Sequence, residues 1–278
     1  MIAFTKMHGI GNDFVVVDAI RNGSLPENLP DLARRMCDRR FGIGADGLIF
    51  ALPGSSAPFA MRMLNPDGSE SEMCGNGIRC LAKLLADHGH AKPGPVQVET
   101  GAGTLVVDLL PGGEVRVDMG KAGFTRAEVG MTGDPSATFV EQPVENFDAP
   151  VVGTAISMGN PHLVVFVDDV ASVPLETWGP ALEKHPHFPN RVNVHFAEVL
   201  EPGRLRQRTW ERGAGATLAC GTGACAVAVA AFKTGRGPRQ AKVSLPGGDL
   251  DIEYLETGTV LMTGPAESVY SGFWFAGV

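Results

Sequence analysis

Four short stretches of this sequence recur in the same order, each displaced by almost the same number of residues. "GNDFVVVD" from Gly11 returns as "GNPHLVVFVDD" from Gly159, an offset of 148. "CGNG" at Cys74 returns as "CGTG" at Cys220, an offset of 146. "VETGAGTLVVDLL" from Val98 returns as "VSLPGGDLDIEYL" from Val243 at 145, and "EVRVDMG" ending at Gly120 returns as "TVLMTG" ending at Gly264 at 144. Four matches in register imply an internal repeat, so the fold must be one that can be built twice. A chain of 278 residues is long enough for two such units, each with its own core. The expected organisation is one unit over 1–121 completed by the tail 266–278, and a second over 122–265, with an active site in the cleft between them.

Most segments read as short strands rich in β-branched residues and separated by Gly/Pro turns, among them "DGLIFAL", "FAMRML", "RVNVHFAEV" and "LRQRTW". The third repeated landmark reads in both copies as a hairpin. The tail "AESVYSGFWFAG" is aromatic and strand-like. Helical patterns are few: "PDLARRMCDRR", "GIRCLAKLLADHG", a short one near "LETWGPALEKH", and "GACAVAVAAFKTG". The last is apolar on every side from Ala224 to Phe232, as a surface helix would not be, and so belongs inside. The expected class is therefore α+β: two pseudo-symmetric units from an internal duplication, each a mostly antiparallel sheet wrapped around a central helix.

Composition narrows the function. A net charge of −8, a pI near 5.4 and no Lys/Arg-rich run argue against a nucleic-acid partner. No apolar run reaches the ~18 residues of a membrane span, and the first residues lack a basic stretch followed by a long apolar one, so a cytoplasmic protein is expected. Five cysteines in a chain of this size read as thiols rather than a disulfide framework.

Two of those thiols stand at equivalent places, Cys74 and Cys220, each before a helix and followed by Gly-x-Gly. A cysteine there is either a small residue at a tight turn, half of a metal site, or a reactive thiol. The repetition favours the last. Neither cysteine shows C-x2-C or Cys/His spacing, because five residues separate Cys74 from Cys80 and four separate Cys220 from Cys225. No metal is expected; the histidines of "HGH" (His88) and "HPH" (His185) read as exposed helix-end residues. Cys37, Cys80 and Cys225 read as core. A helix N-terminus favours anions and thiolates, so two such mouths presented to one ligand would place two thiols on opposite sides of one carbon. One would remove a proton and the other return one, inverting a stereocentre without a cofactor. "GIGADG" from Gly42 matches a dinucleotide pattern, but it runs from helix to strand, the reverse of the required context. No Walker sequence or nucleophile elbow is present.

"GIGNDF", "LNPDGSESEMCGNGIRC", "MGNPH", "RVNV" and "ERGAGATLACGTGACA" together resemble the diaminopimelate epimerase family, over nearly the whole chain. That resemblance implies pyridoxal-phosphate-independent interconversion of LL- and meso-2,6-diaminopimelate in lysine and peptidoglycan precursor synthesis, by a homodimer. It implies Cys74 and Cys220 as acid and base. Gly75, Asn76, Gly221 and Thr222 would hold the reacting carboxylate. Asn12, Asn65, Asn160, Asn193 and Arg212 would recognise the remote amino acid end, with Glu211 helping to bind amines. His162 and Glu211 would tune the thiols, and Tyr270 would lie at the dimer contact. The chemistry is consistent: a zwitterionic end needs one cation for its carboxylate and neutral amides around it. Two positions depart from the family. Gly47 stands where many relatives have glutamine, and Ala216 replaces an acidic residue in "GAGAT". Two alternatives are a proline or hydroxyproline racemase and a non-catalytic amino-acid-binding module. The racemases carry histidine at the place of Asn76, and a binding module would have no need of two thiols.

Overall fold

The computed structural model describes residues 1–21, 25–147 and 149–275. They form two compact units, Met1–Asp118 with Thr263–Val278, and Met119–Met262.

In the first unit the strands are β1 (Ile2–Gly9), β2 (Asn12–Asp18), β3 (Gly47–Pro53), β4 (Phe59–Leu64), β5 (Glu70–Ser71), β6 (Gly94–Thr100), β7 (Gly103–Leu109) and the start of β8 (Val115–Lys121). Its helices are α1 (Leu29–Cys37) and α2 (Gly75–Asp87). The second unit holds α3 (Arg126–Val129), β9 (Gln142–Pro143), β10 (Val152–Ser157), β11 (Pro161–Phe166), α4 (Leu175–Glu183), β12 (Asn193–Glu201), β13 (Arg204–Glu211) and β14 (Gly215–Thr217). It continues with α5 (Gly221–Lys233), β15 (Gln240–Leu245), β16 (Gly248–Tyr254) and most of β17 (Thr259–Gly264). The tail forms β18 (Glu267–Trp274), which pairs antiparallel with β1 from Ile2↔Trp274 to His8↔Glu267.

Pairing repeats step for step. β1/β2 and β10/β11 are antiparallel; β2/β3 and β11/β12 are parallel; β3/β4 and β12/β13 are antiparallel; β4/β6 and β13/β15 are parallel; β6/β7 and β15/β16 are antiparallel hairpins. Parallel neighbours need a crossover. In each unit the second crossover is the central helix, which must therefore lie against its own sheet. α2 packs on β1, β2, β3, β7 and β18, and α5 on β10 to β13, β15 and β16. This is the α+β duplication expected from the sequence.

The all-apolar helix is buried as predicted: every residue from Gly223 to Ala231 in α5 is buried. α2 buries Ile78, Cys80, Leu81, Ala82, Leu84 and Leu85, together with Arg79, whose guanidinium bonds Gly75 O at 3.2 Å and Pro265 O at 3.3 Å. Cys37, Cys80 and Cys225 are core residues as expected. The expectation of exposed histidines holds for His88 alone: His185 is buried, its Nε2 bonding Glu145 O at 2.7 Å and its ring packed at a tilt against half-buried His187, and His90 is half-buried against Asp18. Among the described residues no helix is long and apolar enough to cross a membrane.

Because Leu81 is fully buried in α2, Leu81→Ala should cost about 2–5 kcal/mol. Leu218→Ala, at a residue 55% exposed, should stay within about 0.5 kcal/mol. Urea unfolding of both variants checks the contrast; equal losses would contradict the burial described.

Candidate functional site

Each central helix starts one residue after its cysteine. Cys74 (φ −141°, ψ 120°) and Cys220 (φ −130°, ψ 101°) are the N-cap residues of α2 and α5, both extended, and neither side chain caps its helix. The first N–H groups of a helix have no partner within it, so each unit brings a thiol and a set of helix-end amides to one place. Both helices open Gly-x-Gly, although glycine costs about 1 kcal/mol in a helix relative to alanine. Packing from inside explains the second glycine of each pair. A Cβ on Gly77 would lie 3.0 Å from Ile49 Cδ1, and one on Gly223 would lie 2.2 Å from the His195 ring.

In the first unit the Gly11 turn, with φ +89°, delivers Asn12 to the start of β2. Asn12 Oδ1 accepts from Asn76 Nδ2 at 3.0 Å and from the Cys74 thiol at 3.9 Å. Its own Nδ2 donates to Asp46 Oδ2 at 2.7 Å. Asp46 lies in "GIGADG", so the stretch that mimics a nucleotide motif serves instead to orient Asn12. Arg39 bridges Asp46 and Asp13, and Lys6 also bonds Asp13. Burial raises the Asp13 carboxyl, but hydrogen bonds from Arg39 and Lys6 outweigh it and leave it below the ordinary carboxylate value. Asn65, at the end of β4, turns its Nδ2 to Ser69 Oγ at 2.9 Å and shapes the loop that leads to β5. Asn76 is 3% exposed, and its Oδ1 has no hydrogen-bond partner among the described residues.

The second unit repeats the frame with different chemistry. Gly159 turns with φ +85°, and Asn160 Nδ2 donates to Thr222 Oγ1 at 3.4 Å. Thr222 Oγ1 lies 3.8 Å from Cys220 Sγ. Asn160 Oδ1 meets His162 Nε2 at 2.8 Å, His162 Nδ1 meets His195 Nε2 at 2.8 Å, and His195 Nδ1 meets Thr209 Oγ1 at 3.0 Å. Gln207 Nε2 donates to Thr209 Oγ1 at 3.1 Å. Burial, reinforced by the charges of His195 and Arg212, holds His162 well below the usual imidazole range, and burial alone brings His195 to about 3. Both rings are therefore neutral at pH 7, each with one proton. Since Asn160 offers its oxygen, the network assigns that proton to Nε2 of His162 and Nε2 of His195, and the donors point in sequence from Gln207 toward Thr222.

The remaining predicted residues gather at the end of β13. Asn193 Nδ2 donates to Pro161 O at 2.9 Å and its Oδ1 accepts from Arg212 N at 3.0 Å, so this amide ties the starts of β11 and β12 to the turn after β13. Arg212 is exposed and bonds Asn190 O at 3.3 Å; Glu211 accepts from Thr217 Oγ1 at 2.5 Å. Two positioning residues were missed by sequence reasoning. His195 sits inside an apolar strand, where it reads as an interruption without a partner. Glu183, 4% exposed at the end of α4, accepts from Trp210 Nε1 at 2.9 Å and Gly213 N at 3.1 Å and so shapes the turn that carries Arg212. Burial raises Glu183, but these bonds and the charge of Arg191 bring it below its usual value.

Among the described residues, the three-residue group suited to hold a metal is Asp18, His88 and His90. It lies at the opposite end of α2 from Cys74.

Comparison with known proteins agrees along nearly the whole chain. The family model for diaminopimelate epimerase matches residues 4–125 and 154–269. A diaminopimelate epimerase of Pelotomaculum thermopropionicum is 52% identical over 273 residues, covering 97% of both chains. One of Synechococcus elongatus is 53% identical over 276 residues, covering 98% of this chain and 97% of its own. A solved Bacillus anthracis phenazine biosynthesis protein shares the fold with a TM-score of 0.69 at 16% identity, covering 98% of each chain.

The buried imidazoles set a pH dependence. Unfolded, each histidine binds a proton from about pH 6.5 downward; folded, His195 does not until about 3. The unfolded chain therefore holds more protons across that window, and stability must fall as the pH drops through it. His195→Gln lacks this titration, so its melting temperature should decline less between about pH 7 and pH 5 than that of the wild type. Identical declines would contradict the neutral, buried pair.

Proposed function

We propose that this chain, which belongs to the diaminopimelate epimerase family and epimerises diaminopimelate in lysine biosynthesis, interconverts the LL and meso forms by a two-thiol exchange without a cofactor, and so also serves peptidoglycan precursor synthesis. The observation that carries the mechanism is the repeated unit: a cysteine N-cap that leaves the first amides of a buried helix uncapped by its side chain, once at Cys74 and once at Cys220. Inversion requires a base and an acid on opposite faces of one α-carbon. In the forward step a thiolate takes the α-proton, negative charge spreads onto the carboxylate, and the second thiol donates its proton to the other face. Helix-end N–H groups, at Gly75 and Asn76 and at Gly221 and Thr222, suit that developing charge. The roughly half-unit positive charge of a helix N-terminus acts on the thiolate and the carboxylate alike.

The rest of the reading concerns recognition. The buried Asn76 Oδ1 suits a substrate ammonium. Arg212, exposed at the turn after β13, suits the remote carboxylate, and Asn12, Asn65, Asn160, Asn193 and Glu211 have the chemistry to recognise that end, as neutral amides and one anion. His162 and Glu211 tune the thiols. A homodimer contact through Tyr270 is supported by the exposed apolar side chains of β18, Val269, Tyr270 and Phe273, at 57%, 47% and 59% exposed. Thiols that must cycle between acid and base need a reducing environment, which supports a cytoplasmic location.

Incubated in deuterated water, the enzyme should convert LL-diaminopimelate to the meso form with deuterium at one α-carbon and no added cofactor. Conversion of proline in its place, or recovery of unlabelled substrate, would overturn the assignment. Cys74→Ala and Cys220→Ala should each lower kcat by about 10³ or more, and a fully active single variant would remove the two-thiol mechanism. His195→Ala should lower kcat by about tenfold, the scale of one buried hydrogen bond, with KM little changed. His195→Gln, whose amide replaces the Nε2 donor, should restore most of it.

A further inference from the structure

We propose that Asp18, His88 and His90 form a binding site for a divalent transition-metal ion such as Zn2+. One ligand atom from each, a carboxylate oxygen and two ring nitrogens, lies within 4.8 Å of the other two. His88 Nδ1 and His90 Nε2 both meet Asp18 Oδ2, at 2.7 and 2.8 Å. Ligand atoms around tetrahedral zinc, at bonds of about 2.0–2.2 Å, stand about 3.3 Å apart. Small side-chain rotations would therefore admit an ion where the shared protons now lie. Each imidazole would then offer a lone pair to the metal, the proton it shares with Asp18 passing through solvent to its other ring nitrogen. Two imidazoles and one carboxylate suit zinc, cobalt, nickel or copper, and offer too few oxygens for calcium or magnesium.

All three ligands are fixed by the fold before any ion arrives. Asp18 ends β2, and its Oδ1 accepts from Ile20 N at 3.1 Å, which turns Oδ2 toward the rings. His88 caps the C-terminus of α2, its N bonded to Leu84 O at 2.9 Å, and His90 N bonds Leu85 O at 2.8 Å. Between them Gly89 takes φ +72° with open space at its missing Cβ, and this left-handed turn brings both rings to the same carboxylate. The side chains are 40%, 11% and 20% exposed for His88, His90 and Asp18, so the site is held yet reachable from solvent. Cys74 is at the other end of this 13-residue helix, about 20 Å away at 1.5 Å per residue. An ion here would pin the end of α2 to the end of β2 and act on stability, leaving the thiol untouched.

The test is titration of the metal-free full-length protein with Zn2+ by calorimetry and with Co2+ by absorption spectroscopy. Because cysteine thiolates in general also bind such ions, cobalt distinguishes the sites: nitrogen and oxygen ligation gives visible bands without thiolate charge transfer. The expected result is one equivalent bound with a raised melting temperature. His88→Ala, His90→Ala and Asp18→Asn should each weaken binding by about tenfold or more, while turnover of the metal-free variants matches the wild type. The proposal fails if the wild type binds no ion up to millimolar concentration, if the histidine variants bind as tightly as the wild type, or if thiolate charge transfer is the sole cobalt signal.

Discussion

Everything at the candidate site depends on burying a helix on all sides. In α5 no polar side chain lies between Ala224 and Phe232, and in α2 the run from Gly75 to Ala82 is wholly buried. At roughly 1.5–3 kcal/mol for each large apolar side chain removed from water, such a helix is secured through its flanks by the surrounding strands. What it can offer chemically is then confined to its ends. The N-terminal ends carry Cys74 and Cys220, and the helix amides beside them are fixed by the same packing that holds the core. The close fit of Gly77 against Ile49 and of Gly223 against His195 shows how little room remains.

The duplicated frame is filled with unlike partners. Asn12 turns its oxygen toward both Asn76 and Cys74, because Asp46 holds its nitrogen. Asn160 turns its nitrogen toward Thr222, because His162 holds its oxygen. Cys74 therefore meets an acceptor, while Cys220 lies beside a hydroxyl able to donate. In the proposed mechanism one thiol starts as acid and the other as base, and these orientations give each unit a different bias from the same scaffold. The source of the difference is remote: an ion-pair cluster of Asp46, Arg39, Asp13 and Lys6 in one unit, and two neutral buried imidazoles in the other.

Much of this was legible without coordinates. The repeat, the strand-rich halves, the buried final helix and the core positions of Cys37, Cys80 and Cys225 follow from hydrophobic period and register, which act locally. The reversed context of "GIGADG" was legible for the same reason, since α1 precedes it and β3 follows. His185 was misread because a histidine near a helix end looks solvent-exposed until its bond to Glu145 O, 40 residues away, is known.

By itself the sequence determined that the chain folds twice, that each half has a thiol at the mouth of a helix, and which family it belongs to. Only the tertiary structure decided what those thiols touch. Asp46 reaches Asn12 across 34 positions, His195 reaches His162 across 33, Glu183 reaches Trp210 across 27, and His90 reaches Asp18 across 72. Hydrogen-bond partners at such separations leave no periodic trace in the chain. They are selected by strand register and helix crossover, which bring distant polar groups side by side; where the place is buried, as at His162, His195 and Glu183, a protein partner replaces the excluded water.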